Sequence, residues 1–177
     1  MTNTSPPRLR HPAVTEVCDH HPTGEDDEAS ESSEFLEDLV GVWDVSAPET
    51  GQEPWTEIVR SLHGVWFLAE GSGQMPGGGA ATTVLTLGYS AVKGKYIGTW
   101  IGTMMDHLWV YEGEVSDDGK ILSLYTTGPD FGDTNKLADY REQIIFHDCD
   151  HRTFNSATRQ PDGSWKQFME AHYTRKR

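Results

Sequence analysis

From Val42 to the end of the chain, apolar and polar residues alternate with a period of two, the repeat of a strand that turns one face to a core. Turn signals divide this pattern into ten segments, about 42–47, 55–62, 65–73, 82–89, 94–103, 107–115, 120–128, 138–147, 151–159 and 165–174. The breaks include LHGV (62–65), PGGG (76–79), SAVKGK (90–95), SDDGK (116–120), HDCDH (147–151) and PDGS (161–164). The Asp-Gly pairs favour tight hairpins, because glycine accepts the positive φ that such turns require. Ahead of the strands, SSEFLEDLVG (32–41) has helical spacing: Phe35, Leu36, Leu39 and Val40 share a face, Ser33 can cap the start, and Gly41 stops it.

Ten short strands with hairpin-length links predict an all-β fold, an antiparallel up-and-down meander closed into a barrel. Closure removes the unpaired edges that would otherwise invite aggregation. The barrel domain is expected over 34–177. Residues 1–33 are rich in Pro, Ser, Thr, Glu and Asp, lack apolar periodicity, and are expected to form a disordered acidic tail. CDHHP (18–22) in that tail offers a Cys and two His, but nearly contiguous and without a second ligand pair, so no metal is expected. GSGQMPGGGA (71–80) lacks the ending of a phosphate loop and reads as a flexible loop at the barrel mouth.

The stretch GTWIGTMMDHLWVYEG (98–113) is the richest in side chains suited to binding. With Met104 and Met105 at a hairpin tip, Gly102 pairs with His107, Trp100 with Trp109, Gly98 with Tyr111 and Tyr96 with Gly113. A ring lying across the ladder from a glycine repairs the packing that glycine forfeits. Tyr96, Trp100, His107, Trp109 and Tyr111 are placed inside, where rings give rigid contact area and a few oriented hydrogen bonds. Met104 and Met105 at the rim would adapt to ligand shape. Ile97, Thr99, Ile101, Leu108, Val110 and Glu112 occupy the other face. Neither face is polar enough to be freely solvated, so either the barrel is filled and covered outside, or one face lines a cavity and the other meets a second subunit. Ten strands enclose more space than eight, which favours the cavity, and a homodimer is one assembly that would cover the outer face.

Polar residues interrupt several strands: Glu57, Glu70, Glu112, Tyr140, Glu142, Glu170 and His172. Any that face inward need partners, because an unpaired buried carboxylate protonates or destabilises the fold. Glu70, Glu170 and His172 are the leading candidates. Glu170 and His172 share a face of the last strand, although the face with Trp165, Met169, Ala171 and Tyr173 is more apolar, so the pair fits outside as well as inside. Trp66 and Tyr140 complete the expected ligand-binding set. No GxSxG, HExxH or paired Cys–His signature is present, so no catalytic residue is assigned.

The net charge of −14 argues against nucleic acid or an anionic membrane surface as partner. No window supplies the roughly 18 apolar residues of a membrane helix, and the Pro-containing start does not resemble a secretory leader. Cys18 and Cys149 read as two reduced thiols, with one disulfide pair as the alternative. A cytoplasmic location is expected.

LVGVWDV (39–45), LGYSAVKGKYIGTWIGTMMDHLWVYEGE (87–114) and DGSWKQFMEAHYTRKR (162–177) resemble the bacterial domain of unknown function 1579 family. The resemblance covers about Leu36 to the C-terminus. It implies a calycin-like β-barrel, related in architecture to lipocalins, fatty-acid-binding proteins and nitrobindins, and implies no particular activity. Trp43, followed by Arg175 beyond the last strand, is similar to the closing device of lipocalin-like barrels, an indole stacked under a guanidinium. The expected ligand is a small apolar or amphipathic molecule, with no cofactor. Two alternatives are a cofactor-independent cyclase or isomerase that folds its substrate in the lumen, and a haem protein of nitrobindin type with His172 as axial ligand.

Overall fold

Ten antiparallel strands close on themselves in chain order: β1 (Gly41–Ser46), β2 (Trp55–Leu62), β3 (Trp66–Gln74), β4 (Ala80–Ser90), β5 (Lys95–Gly102), β6 (Trp109–Val115), β7 (Ile121–Pro129), β8 (Leu137–Asp148), β9 (His151–Arg159) and β10 (Trp165–Arg175). The computed structural model describes residues 33–48, 54–133 and 135–177. The expected acidic tail, apart from Ser33, and its Cys18, His20 and His21 lie outside the described residues. One helical turn, α1 (33–37), precedes β1. Each strand predicted from the alternation appears within two residues of its expected bounds.

The barrel is packed solid at one end and hollow at the other. At the closed end α1 tucks Phe35 and Leu36 under the strands, where they join Leu39, Val59, Phe67, Leu87, Tyr96, Leu122 and Ile144 in one apolar cluster. Phe35 meets Phe146 edge to face, with centroids 5.2 Å apart. Trp43 is wholly buried and its Nε1 donates to the Leu39 carbonyl at 2.8 Å. Arg175 lies over this indole with Cζ 4.1 Å from the ring centre. The same guanidinium donates to Val40 O (2.5 Å), Asp38 O (2.6 Å) and Cys149 O (2.8 Å). The seam between β1 and β10, Trp43 opposite Arg175, is therefore fastened by stacking and by the two charge-assisted bonds to Val40 and Asp38, while the third ties Arg175 to the β8–β9 turn.

Two expectations about the β5–β6 hairpin change. The pairs Tyr96–Gly113, Gly98–Tyr111 and Trp100–Trp109 form, but the ladder stops there, and Gly102 does not pair with His107. Residue 103 instead stays with β4: Thr103 N donates to Thr82 O (3.0 Å), and Thr82 N donates to the Thr103 hydroxyl (3.1 Å). The six residues after Gly102 thus leave β6 and form a link.

Rings do cover glycines, but other ones: Trp66 lies on Gly88, Trp55 on Gly73 and Trp109 on Gly128. At Gly98 and Gly113 the neighbours are the Thr86 and Ser123 carbonyls, with Leu87 and Leu124 alongside. A Cβ at either position would strike main chain that no side-chain rotation can relieve.

The outer faces of β5 and β6 carry the apolar surface the alternation implied, with Ile101, Val110 and the neighbouring Leu108 each about half exposed. Cys149, in the β8–β9 turn, is disulfide-bonded, which corrects the reading of two reduced thiols; Cys18 lies outside the described residues.

Candidate functional site

The hollow end encloses a cavity of about 360 Å³. Its mouth is ringed by side chains from the links and the strand ends. Met75 comes from the glycine-rich loop, Met104 and Met105 from the β5–β6 link, Phe131 from the β7–β8 link and Phe168 from β10. Phe131 and Phe168 are about half exposed there, with ring centroids 5.8 Å apart. Below them Trp109 and Tyr140 meet edge to face at 5.1 Å. The polar atoms of these rings are already held: Trp109 Nε1 donates to Met105 Sδ (3.1 Å) and the Tyr140 hydroxyl to Pro129 O (2.7 Å). The upper chamber is thus an apolar wall with its hydrogen bonds satisfied inside the protein.

The lower chamber is polar. Arg152 is almost completely buried, and its Nη2 donates to Glu57 Oε1. The guanidinium lies between two rings, 3.8 Å from the Tyr173 centroid and 4.7 Å from that of Trp43. Its Nε is buried without a hydrogen-bond partner. Higher on the wall, Glu142 is 7% exposed and accepts a hydrogen bond from the Ser156 hydroxyl of the paired strand. Burial pushes the Glu142 carboxyl up from 4.5 to about 7, and the Ser156 bond only partly offsets that. Tyr111 and Tyr173 are also pushed well above the usual phenol value, first by burial and then by Glu142 and Glu57 respectively.

These facts carry a pH prediction. A group whose folded pKa lies above its unfolded value stabilises the fold fully below the unfolded value, and that stability is lost as pH rises through the folded one. Wild-type stability is therefore expected to decline between about pH 4.5 and 7, whereas Glu142→Gln removes that part of the decline. Urea midpoints measured across this window check it; parallel curves for the two proteins would refute it.

Of the residues expected to bind ligand, Trp100, Met104, Met105, Trp109, Tyr111 and Tyr140 line the cavity. Tyr96 faces inward but sits in the filled end, packed on Tyr89 at 5.3 Å, where burial pushes its hydroxyl up to about 12. His107 leaves the ladder and packs edge-on against Trp109 at 4.7 Å, outside the lining. Four residues point outward. Trp66 is 42% exposed over Gly88, Glu70 faces Arg60 at 3.8 Å on the surface, and Glu170 pairs with His172 at 3.4 Å, also on the surface. The inward carboxylates are Glu57 and Glu142, and with Arg152 and Ser156 they form the polar part of the site. Among the described residues, no three His, Cys, Asp or Glu side chains converge as metal ligands do.

A family model described as protein of unknown function (DUF1579) matches residues 28–175. The chain belongs to that family. The match spans the whole barrel, so the cavity of this DUF1579 member lies within the shared region. The closed ten-strand barrel is consistent with a calycin-like architecture. No curated protein matches the chain. Among the described residues, no helix is long and apolar enough to cross a membrane.

Proposed function

We propose that this DUF1579 barrel binds a small, largely apolar molecule with one polar end, the apolar body between the aromatic rings and the polar end on the lower wall. The supporting observation is the division of one cavity into an apolar mouth with satisfied hydrogen bonds and a polar lower chamber holding Arg152, Glu57, Glu142 and Ser156. A filled core has no use for two buried carboxyls and a guanidinium, each of which costs desolvation energy.

Titration with the neutral dye Nile red tests the proposal. Wild-type protein is expected to bind one dye molecule with a blue-shifted emission. Ala171→Trp, which places an indole in the lumen beside Met169 and Tyr173, is expected to weaken binding at least about tenfold while leaving the far-ultraviolet circular dichroism unchanged. Wild-type protein that leaves the dye emission unchanged, with no bound species in native mass spectra, would refute it.

A proton-transfer function, as in a cyclase or isomerase, draws on one further observation. Glu142 is a cavity-facing carboxyl poised near neutral pH, where a general acid or base works best. The haem alternative loses its axial ligand, because His172 lies on the outer face with Glu170.

A further inference from the structure

We propose that the polar end of the ligand is a protonated amine, with Glu142 as its counter-ion. This rests on the binding function above and specifies the chemical class that the cavity takes. Among the described residues the cavity lining has two carboxyls, and only Arg152 carries positive charge. Arg152 is already paired: Glu57 accepts from its Nη2, the rings of Trp43 and Tyr173 pack on the guanidinium, and its Nε is buried. An anionic ligand end would therefore meet two carboxyls and a guanidinium already paired with one of them.

Glu142 stands in the opposite condition. It is more than nine-tenths buried, and among the described residues it makes no ion pair and has a single neutral hydroxyl, that of Ser156, as hydrogen-bond partner. A buried carboxylate in that state is completed by a cation, because the Coulomb attraction in a dry site offsets the desolvation that burial imposed on it. The surrounding surfaces favour the same charge. Tyr111, Tyr140 and Trp109 line the same cavity as Glu142, and the negative faces of aromatic rings attract ammonium groups. The net charge of −14 raises the local concentration of cations outside the mouth and repels anions.

Binding of this kind is coupled to a proton. The groups facing Glu142 are Tyr140 on its own strand, Tyr111 from β6, Leu124 opposite it on β7, Ser156 from β9 and, deeper, the Arg152–Glu57 pair and Tyr173. Burial holds the three phenols neutral, so across pH 5.5–8 the group among these whose ionisation changes at the ligand is Glu142. An incoming ammonium favours the ionised carboxylate, and affinity for amines rises with pH through that range.

Octylamine, octan-1-ol and octanoate, three probes of equal chain length, are compared by displacement of Nile red from the full chain. Octylamine is expected to bind about tenfold or more tightly than either of the others at pH 8, and to lose most of that advantage at pH 5.5. Glu142→Gln is expected to bring octylamine to the level of octanol, with a far-ultraviolet circular dichroism spectrum like that of wild type showing that the variant is folded. Octanoate binding most tightly, or an amine preference that survives in Glu142→Gln, overturns the assignment while leaving the binding function intact. Failure of octanol and octylamine alike to displace the dye overturns both. Should Glu142→Gln not fold, the wild-type ranking of the three probes and its pH dependence still decide the matter.

Discussion

Replacing Glu57 by Ala is expected to destabilise the barrel by about 3 kcal/mol, because it strands the Arg152 charge in the interior. Arg152 is 3% exposed and, among the described residues, has no other carboxylate in hydrogen-bonding reach. The cost is a property of the widowed charge more than of the pair, since desolvation cancels much of the attraction in an intact buried ion pair. The double variant Glu57→Leu/Arg152→Met should therefore recover at least half of the loss, even though it gives up the stacking of Arg152 on Trp43 and Tyr173. Urea denaturation of wild type, single variant and double variant decides the point. A double variant as unstable as the single one, or more so, would show that the pair itself holds the lower chamber together.

Trp43→Ala carries the second large effect, a loss of about 4 kcal/mol, near the upper range for truncating a fully buried aromatic side chain. Volume is only part of it. The indole lies beneath Arg175 on one side and Arg152 on the other, and its Nε1 holds the Leu39 carbonyl where α1 gives way to β1. Trp43→Phe keeps most of the volume and a ring for the guanidiniums but drops the donor, so about half of the loss is expected to return. The urea midpoint reports both variants. A midpoint for Trp43→Ala close to wild type would mean that the closed end repacks freely around the missing ring.

Much of the fold was legible because alternation and turn chemistry act locally. The ten strands follow from residues such as Asp118-Gly119 and Asp162-Gly163, whose glycines adopt the positive φ that the turns need. The choice of face was harder. On β8, Tyr140, Glu142 and Ile144 are in phase, and two apolar neighbours could have marked Glu142 as inward. On β2 the same signal surrounds Glu57, flanked in phase by Trp55 and Val59.

On β3 the phase is ambiguous. Trp66, Leu68 and Glu70 compete with Phe67, Ala69 and Gly71, and the smaller set won the interior because Gly88 opens a seat for the Trp66 ring outside. β10 escapes any period of two. A bulge between Gln167 and Met169 resets its phase, so Phe168 and Met169 both reach the cavity while Trp165 turns out against Tyr125 and Arg141. Cross-strand register decides such cases, and register is not written in one strand alone.

The Arg175 clasp also bears on the order of assembly. Nine of the ten strand pairings join neighbours along the chain, and each closes only a short loop. The pairing of Trp43 with Arg175 alone spans more than a hundred residues. By loop-closure entropy it costs about 2 kcal/mol more than joining a hairpin, and it is the contact a collapsing chain finds last. The stack and the bonds to the Val40 and Asp38 carbonyls lie on that seam, where they act on a nearly finished barrel: they hold shut a ring that its hairpins have already drawn round.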